Sequence, residues 1–152
     1  MSVELIERFY AAFALRDGAG MEACYAPDVH FSDPVFVDLR GPEAGAMWRM
    51  LTERAADLRV ELLERSADGD RGTARWRAHY TFTQTGRAVV NDVRATMRFA
   101  DGLIADHVDD FDFHRWARQA LGTSGLLLGW TPLLRNAVRW RARAGLDEYL
   151  GR

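Results

Sequence analysis

The chain has 152 residues, 48% of them hydrophobic and 11% aromatic, with a formal net charge of -2. That length and composition suit a single domain over 1–152 with a real core, and the near-neutral charge gives no global attraction to nucleic acid or an anionic membrane. Lysine is absent from the sequence, which excludes Schiff-base catalysis and the lysine of a phosphate-binding loop.

The charge is unevenly placed. Residues 1–113 carry 13 Arg against 20 acidic residues, a net of -7, whereas residues 114–152 carry 7 Arg against 2, a net of +5. Cys24 is the only cysteine, so an intrachain disulfide and a multi-cysteine metal site are excluded, and a cytoplasmic setting is expected. The opening segment is acidic and amphipathic, unlike a signal peptide, and the apolar run 125–134 is broken by Gly129 and Pro132, too short to span a bilayer.

Ile6, Phe9, Tyr10 and Phe13 recur at helical spacing and predict a first helix over about 3–16, ended by Asp17-Gly18. A second short helix over about 19–26 is expected to stop at Pro27, with Cys24 as a small buried hydrophobe inside it. Val29, Phe31, Asp33 and Val35 then alternate with more polar neighbours, which predicts a short strand with Asp33 on its apolar face. Gly41-Pro42-Glu43 opens a third helix with an inner stripe of Ala44, Met47, Trp48, Leu51 and Ala55.

From Leu58 the period changes to two. Strands over about 58–67, 72–84, 88–100 and 103–113 are separated by Asp68-Gly69-Asp70, Thr85-Gly86-Arg87 and Asp101-Gly102, which reads as an antiparallel meander. One face carries Trp76, Ala78, Tyr80, Val93, Ala95 and Met97; the other is rich in arginine, as expected of a face turned to solvent or to a second subunit. Beyond the meander, a helix over 115–121, a loop over 122–129 and a helix starting at the cap Thr131-Pro132 form a C-terminal helical extension, 114–152.

Three helices, a four-stranded meander, Phe31-Ser-Asp-Pro-Val35 and the last-strand string from Asp101 to Phe113 resemble the nuclear transport factor 2-like superfamily over about 3–113. That superfamily includes SnoaL-type polyketide cyclases, ketosteroid isomerase, limonene epoxide hydrolase and scytalone dehydratase. The resemblance implies an α+β fold, a cone-shaped curved antiparallel sheet with the N-terminal helices on its concave face, enclosing a small hydrophobic ligand. By the same comparison Phe9 and Ala95 stand where ketosteroid isomerase has its oxyanion donors, and Trp76-Arg77-Ala78 lacks the second carboxylate of the epoxide hydrolases. Acid/base chemistry of cyclase, isomerase or dehydratase type, with no cofactor, is what remains; a non-catalytic binding module is the alternative.

Asp33 and Asp109 both fall on inward parities, where desolvation raises a carboxyl toward the acid/base range. The structural alternatives are that Asp33 hydrogen-bonds the turn at Pro34 and that Asp109 pairs with a buried Arg or Trp N–H. His107, two residues before Asp109 on one strand, projects to the same side and completes the catalytic set Asp109, Asp33 and His107. Phe9, Trp48, Trp76, Tyr80, Asn91, Met97 and Phe111 are the expected substrate-binding residues, although core packing explains the aromatics equally well. No metal site is expected, since no two-histidine pattern supports one.

In the last helix Arg135, Arg139, Arg143 and Asp147 recur every four residues, while Leu133, Ala137, Trp140 and Ala144 mark another face. A solvated charged face with apolar packing behind it is the simplest reading. A lid over the cone, a helix reaching a second subunit, or surface docking through Trp130, Trp140 and the arginines are the alternatives. A homodimer through the outer sheet face is the expected partnership, with neither nucleic acid nor a membrane.

Overall fold

The computed structural model describes residues 2–152. Helix α1 (Ser2–Ala14) buries Leu5, Ile6, Phe9, Tyr10 and Phe13 on one side, the stripe that its spacing requires. Helix α2 (Gly18–Glu22) begins where the Asp17 carboxylate accepts the Gly20 N–H at 2.9 Å. It is shorter than its sequence suggests. Ala23 and Cys24 form a turn, and Tyr25 already belongs to strand β1 (Tyr25–Ser32), so Cys24 is buried outside any helix.

Pro27 therefore lies within a strand rather than closing a helix. The β1 register slips between Tyr25 and His30, and this irregular stretch is where a residue without an N–H is tolerated. After β1 the chain turns through Asp33–Phe36, adds the short strand β2 (Leu39–Arg40), and enters α3 (Pro42–Arg54) with proline in the first turn.

The meander follows: β3 (Arg59–Asp68), β4 (Arg71–Phe82), β5 (Arg87–Ala100) and β6 (Leu103–Asp110), each antiparallel to its neighbour. The sheet has six strands in the order β2-β1-β6-β5-β4-β3, and β1 runs parallel to β6. The expected antiparallel sheet is thus mixed. Strand β2, helix α3 and strands β3 to β5 intervene between β1 and β6, which is more than the long connection a parallel pair demands.

On the concave side Ala74, Trp76, Ala78, Val93, Ala95, Met97 and Phe99 are buried and meet the aromatic stripe of α1 and the inner face of α3. The alanines are short so that Phe9, Phe13 and Trp48 can fill the space above them. Gly72 serves the same end at the edge, because a Cβ there would fall 2.5 Å from Phe99 and 3.0 Å from Ile6. On the outer face Arg77 pairs with Asp92 at 2.7 Å and Arg98 with Asp106 at 2.6 Å.

The extension holds α4 (Phe113–Leu121), α5 (Thr123–Leu128) and α6 (Pro132–Tyr149). The segment 122–129, expected as a loop, is mostly helix: Gly122 and Gly129 bracket it, and the Leu126 N–H reaches the Gly122 carbonyl at 2.9 Å. Thr131 caps α6 as its sequence predicts, accepting the Leu134 N–H at 3.3 Å.

The orientation of α6 reverses the simplest sequence reading. Its arginines face the body: Arg139 Nε donates to the Pro34 carbonyl at 2.8 Å, Arg143 meets Glu43 at 2.5 Å, and the Arg135 guanidinium lies over the Phe113 ring at 5.1 Å. Leu133 and Trp140 face away from the body and are exposed. Inner contact comes instead from fully buried Leu146, with Ala142 and Tyr149. Arg152 also reaches Glu43, at 2.8 Å. Burial alone would raise the Glu43 carboxyl, but these two arginines and the Arg40 backbone N–H outweigh it and hold it down at about 2.

No helix among the described residues is long and apolar enough to cross a membrane.

Candidate functional site

The centre of the cone holds a buried polar chain. Period two places His107 and Asp109 on the same face of β6, and His107 Nε2 lies 2.8 Å from Asp109 Oδ1. His107 Nδ1 lies 2.8 Å from the Tyr25 hydroxyl, which accepts the Trp48 Nε1–H at 2.8 Å. His107 is fully buried and Asp109 is 3% exposed.

Only one proton arrangement leaves no donor idle. A carboxylate accepts only, so His107 donates from Nε2 to Asp109; its Nδ1 lone pair then accepts the Tyr25 O–H, whose oxygen is left to accept from Trp48. Tyr25 suits the neutral donor role. Burial pushes its phenol well above the ordinary value and the Asp109 charge adds to this, against the opposing Trp48 N–H.

Around the imidazole, ring centres of Phe31, Phe9, Tyr25 and Trp48 lie 5.0, 5.5, 6.0 and 6.4 Å away. Opposite Asp109 in the β5–β6 register stands Ala95, and opposite His107 stands Met97. Asp109 thus has a small neighbour where the rest of the cone is crowded. It pairs with a histidine rather than with the Arg or Trp N–H expected of a purely structural carboxylate.

Asp33 is not on the strand that its alternation suggests. It lies just past β1, where Oδ1 accepts the N–H groups of Val35 at 2.7 Å and Phe36 at 2.6 Å, the structural role foreseen for it. The residue as a whole is half-buried, yet its carboxyl is strongly desolvated. Burial raises its pKa from 3.8 to about 7, the two backbone N–H bonds oppose this, and Asp109 and Arg139 push in opposite directions.

A sign follows for stability. Between about pH 4 and pH 7 the folded chain holds on Asp33 a proton that the unfolded chain has released, so this contribution is present at low pH and lost as pH rises through that window. Asp33→Asn keeps an oxygen for both N–H groups and removes the buried charge. Discounted for partial exposure, it should raise stability on the order of 1 kcal/mol at pH 8 and leave it nearly unchanged at pH 4. Urea midpoints at the two pH values check this; an equal effect at both would contradict it.

Of the expected binding residues, Phe9, Trp48 and Trp76 belong to the ring cluster around His107, and Met97 is sealed beneath it. Tyr80 and Phe111 pack between that core and the second cluster of Val89, Phe113, Trp116, Ala117 and Ala120, which forms where β6 ends at Asp110 and α4 starts at Phe113. The Tyr80 hydroxyl accepts the Trp116 Nε1–H at 2.8 Å. Its phenol is raised to about 12 by burial, with the Trp116 bond lowering it and Asp33 adding to the rise. Asn91 is half-buried between Val89 and Val93 on the inward parity.

Two further groups escape the sequence reading. Tyr25 was hidden by the helix expected across it, and Tyr10 by its place in a plain apolar stripe. Among the described residues Tyr10 Oη and Trp76 Nε1 are buried without a hydrogen-bond partner, and their rings lie 6.1 Å apart. An open surface cleft of about 290 Å³, lined by Arg87, Arg118, Gly122, Thr123 and Leu126, lies away from the carboxylates. Among the described residues no group of three or more His, Cys, Asp and Glu side chains is placed to hold a metal ion.

A curved six-stranded sheet wrapped on the N-terminal helices is the nuclear transport factor 2-like cone. The SnoaL-like domain family matches residues 6–107, and the chain belongs to that family. Asp109 lies just beyond the matched segment.

No curated protein matches the sequence. Among solved structures, the chain is similar to an NTF2-like protein of unknown function from Burkholderia pseudomallei, with 25% identity, a TM-score of 0.68, and coverage of 76% of this chain and 94% of that one. It also shares its fold with a protein of ketosteroid isomerase-like fold from Catenulispora acidiphila (14% identity, TM-score 0.70, coverage 85% and 98%). An LEH-like epoxide hydrolase of M. tuberculosis has the same fold (21%, 0.64, coverage 87% and 93%).

Proposed function

We propose that this chain is a small SnoaL-like enzyme that acts by acid/base proton transfer on a hydrophobic cyclic or polyketide-like substrate, of cyclase, isomerase or dehydratase type. The observation that supports this most is the Asp109–His107–Tyr25 chain: a carboxylate buried in an apolar cone and held by an imidazole. Asp109 moves the proton. His107 orients it and Tyr25 fixes the imidazole tautomer. Asp33, whose carboxyl burial raises to about 7, is the assisting group. Tyr10 Oη and Trp76 Nε1 would hold a substrate oxygen.

Epoxide opening is a poorer fit. Arg77, which stands where those hydrolases carry their arginine, lies on the outer face and pairs with Asp92.

The alternative is a non-catalytic binding module, favoured by one observation: aromatic rings already fill the space around His107. The two readings part in one experiment. The chain is incubated with a panel of aromatic polyketide esters and cyclic enones in deuterated buffer, and mass spectrometry follows the products. Deuterium uptake or cyclisation that is lost in Asp109→Asn supports the enzyme; ligands bound and returned unchanged support the module.

The charge-alternating outer face of the sheet is the proposed dimer surface. A dimeric mass is expected in solution at micromolar concentration, and a strictly monomeric mass by light scattering would contradict it.

A further inference from the structure

The α5–α6 segment presents an apolar surface that the fold does not use. Leu126, Leu127, Leu128, Trp130, Leu133 and Trp140 are all exposed, and the largest stand out furthest: Trp130 at 72%, Leu133 at 79% and Trp140 at 74%. Along α6 the apolar stripe continues through Ala137 and Ala144 at helical spacing. This orientation is enforced, because Arg139, Arg143 and Arg152 tie the opposite side to Pro34 and Glu43 while Leu146 is buried beneath.

We propose that this face docks on an anionic lipid bilayer. Charge chooses the occupant. Of the 7 Arg that 114–152 carries against 2 acidic residues, Arg135, Arg139, Arg143 and Arg152 turn to the body, while Arg118 and Arg141 have no carboxylate partner among the described residues. Arg118 borders Leu126 in the surface cleft together with Arg87, and Arg141 adjoins Trp140 on α6. A second copy of the chain placed on this face would bring the arginines at its border against their own copies, whereas an anionic surface is their complement.

Shape agrees. Side chains more than two-thirds exposed project from a convex helical surface, and a rigid protein partner would need a matching hole for each. The boundary between lipid headgroups and acyl chains accepts them without matching, with tryptophans at the level they favour and arginines beside the phosphates. The whole-chain charge hides this, because the acidic body offsets the basic tail.

The test uses the full chain and sedimented vesicles, either phosphatidylcholine alone or phosphatidylcholine mixed with phosphatidylglycerol. Of the five tryptophans, Trp48, Trp76 and Trp116 are buried, so Trp130 and Trp140 report the face. Association with the mixed vesicles, a blue-shifted emission and protection from an aqueous quencher are expected, with little association to the neutral ones. The variant Trp130→Ser/Leu133→Ser/Trp140→Ser changes exposed positions only. It should keep its circular dichroism and thermal midpoint while binding at least about tenfold more weakly. Arg118→Gln/Arg141→Gln should weaken binding by about fivefold for each charge removed.

No association with the mixed vesicles, equal association with neutral ones, or undiminished binding by the serine variant would each overturn the proposal. A concentration-dependent dimer abolished by the serine variant, without vesicle binding, would assign the face to a second copy instead.

Discussion

Asp109→Asn is expected to lower turnover by about 10²–10⁴-fold, the usual worth of a positioned acid or base, while leaving the folded state nearly as stable as before. The asparagine carbonyl can still accept the His107 Nε2–H, which now spans 2.8 Å to Asp109 Oδ1, so the packing and the tautomer both survive. What is lost is the ability to take up and release a proton. Single-turnover rates on an active substrate, read beside the thermal midpoint and ligand affinity, separate the two effects. Turnover by the variant equal to that of the natural chain would remove Asp109 from the mechanism, and a collapse in stability would show that its role is mainly structural.

His107→Phe should be costly for stability. The imidazole is fully buried among Phe9, Phe31 and Trp48, so a phenyl ring is close to the right shape. It would, however, strand the Asp109 charge and leave the Tyr25 O–H without its acceptor. Breaking a buried pair from one side costs about 3–5 kcal/mol, which for a chain of this length lowers the midpoint by roughly 10 °C. The double variant His107→Phe/Asp109→Leu removes the charge as well and should recover much of that loss. The coupling read from the resulting double-mutant cycle measures the pair itself. A single variant as stable as the natural chain would mean that the pair holds no uncompensated charge.

The two carboxylates differ in how legible they were. His107 and Asp109 could be paired from sequence because strand parity is local: residues two apart must share a face, whatever lies opposite. Asp33 was read as a strand residue but lies in a turn, which depends on the Val35 and Phe36 N–H groups folding back onto its side chain. Tyr25 was lost altogether. Pro27 is a strong helix-stop signal, and nothing nearby announces that the chain ahead of it pairs with Ile104 on a strand far along the sequence.

Sequence by itself determined the first and third helices, the meander with its aromatic concave face, the inward pair on the last strand and the cap at Thr131, because each depends on short-range periodicity, turn chemistry or side-chain parity. Only the tertiary structure decided that β1 joins β6 in parallel, that Tyr25 and Trp48 complete the chain to Asp109, and which way α6 faces. An amphipathic helix reads the same in either orientation. Here Glu43, the Pro34 carbonyl and the Phe113 ring, all distant in sequence, turn its arginines inward and leave Leu133 and Trp140 to the outside.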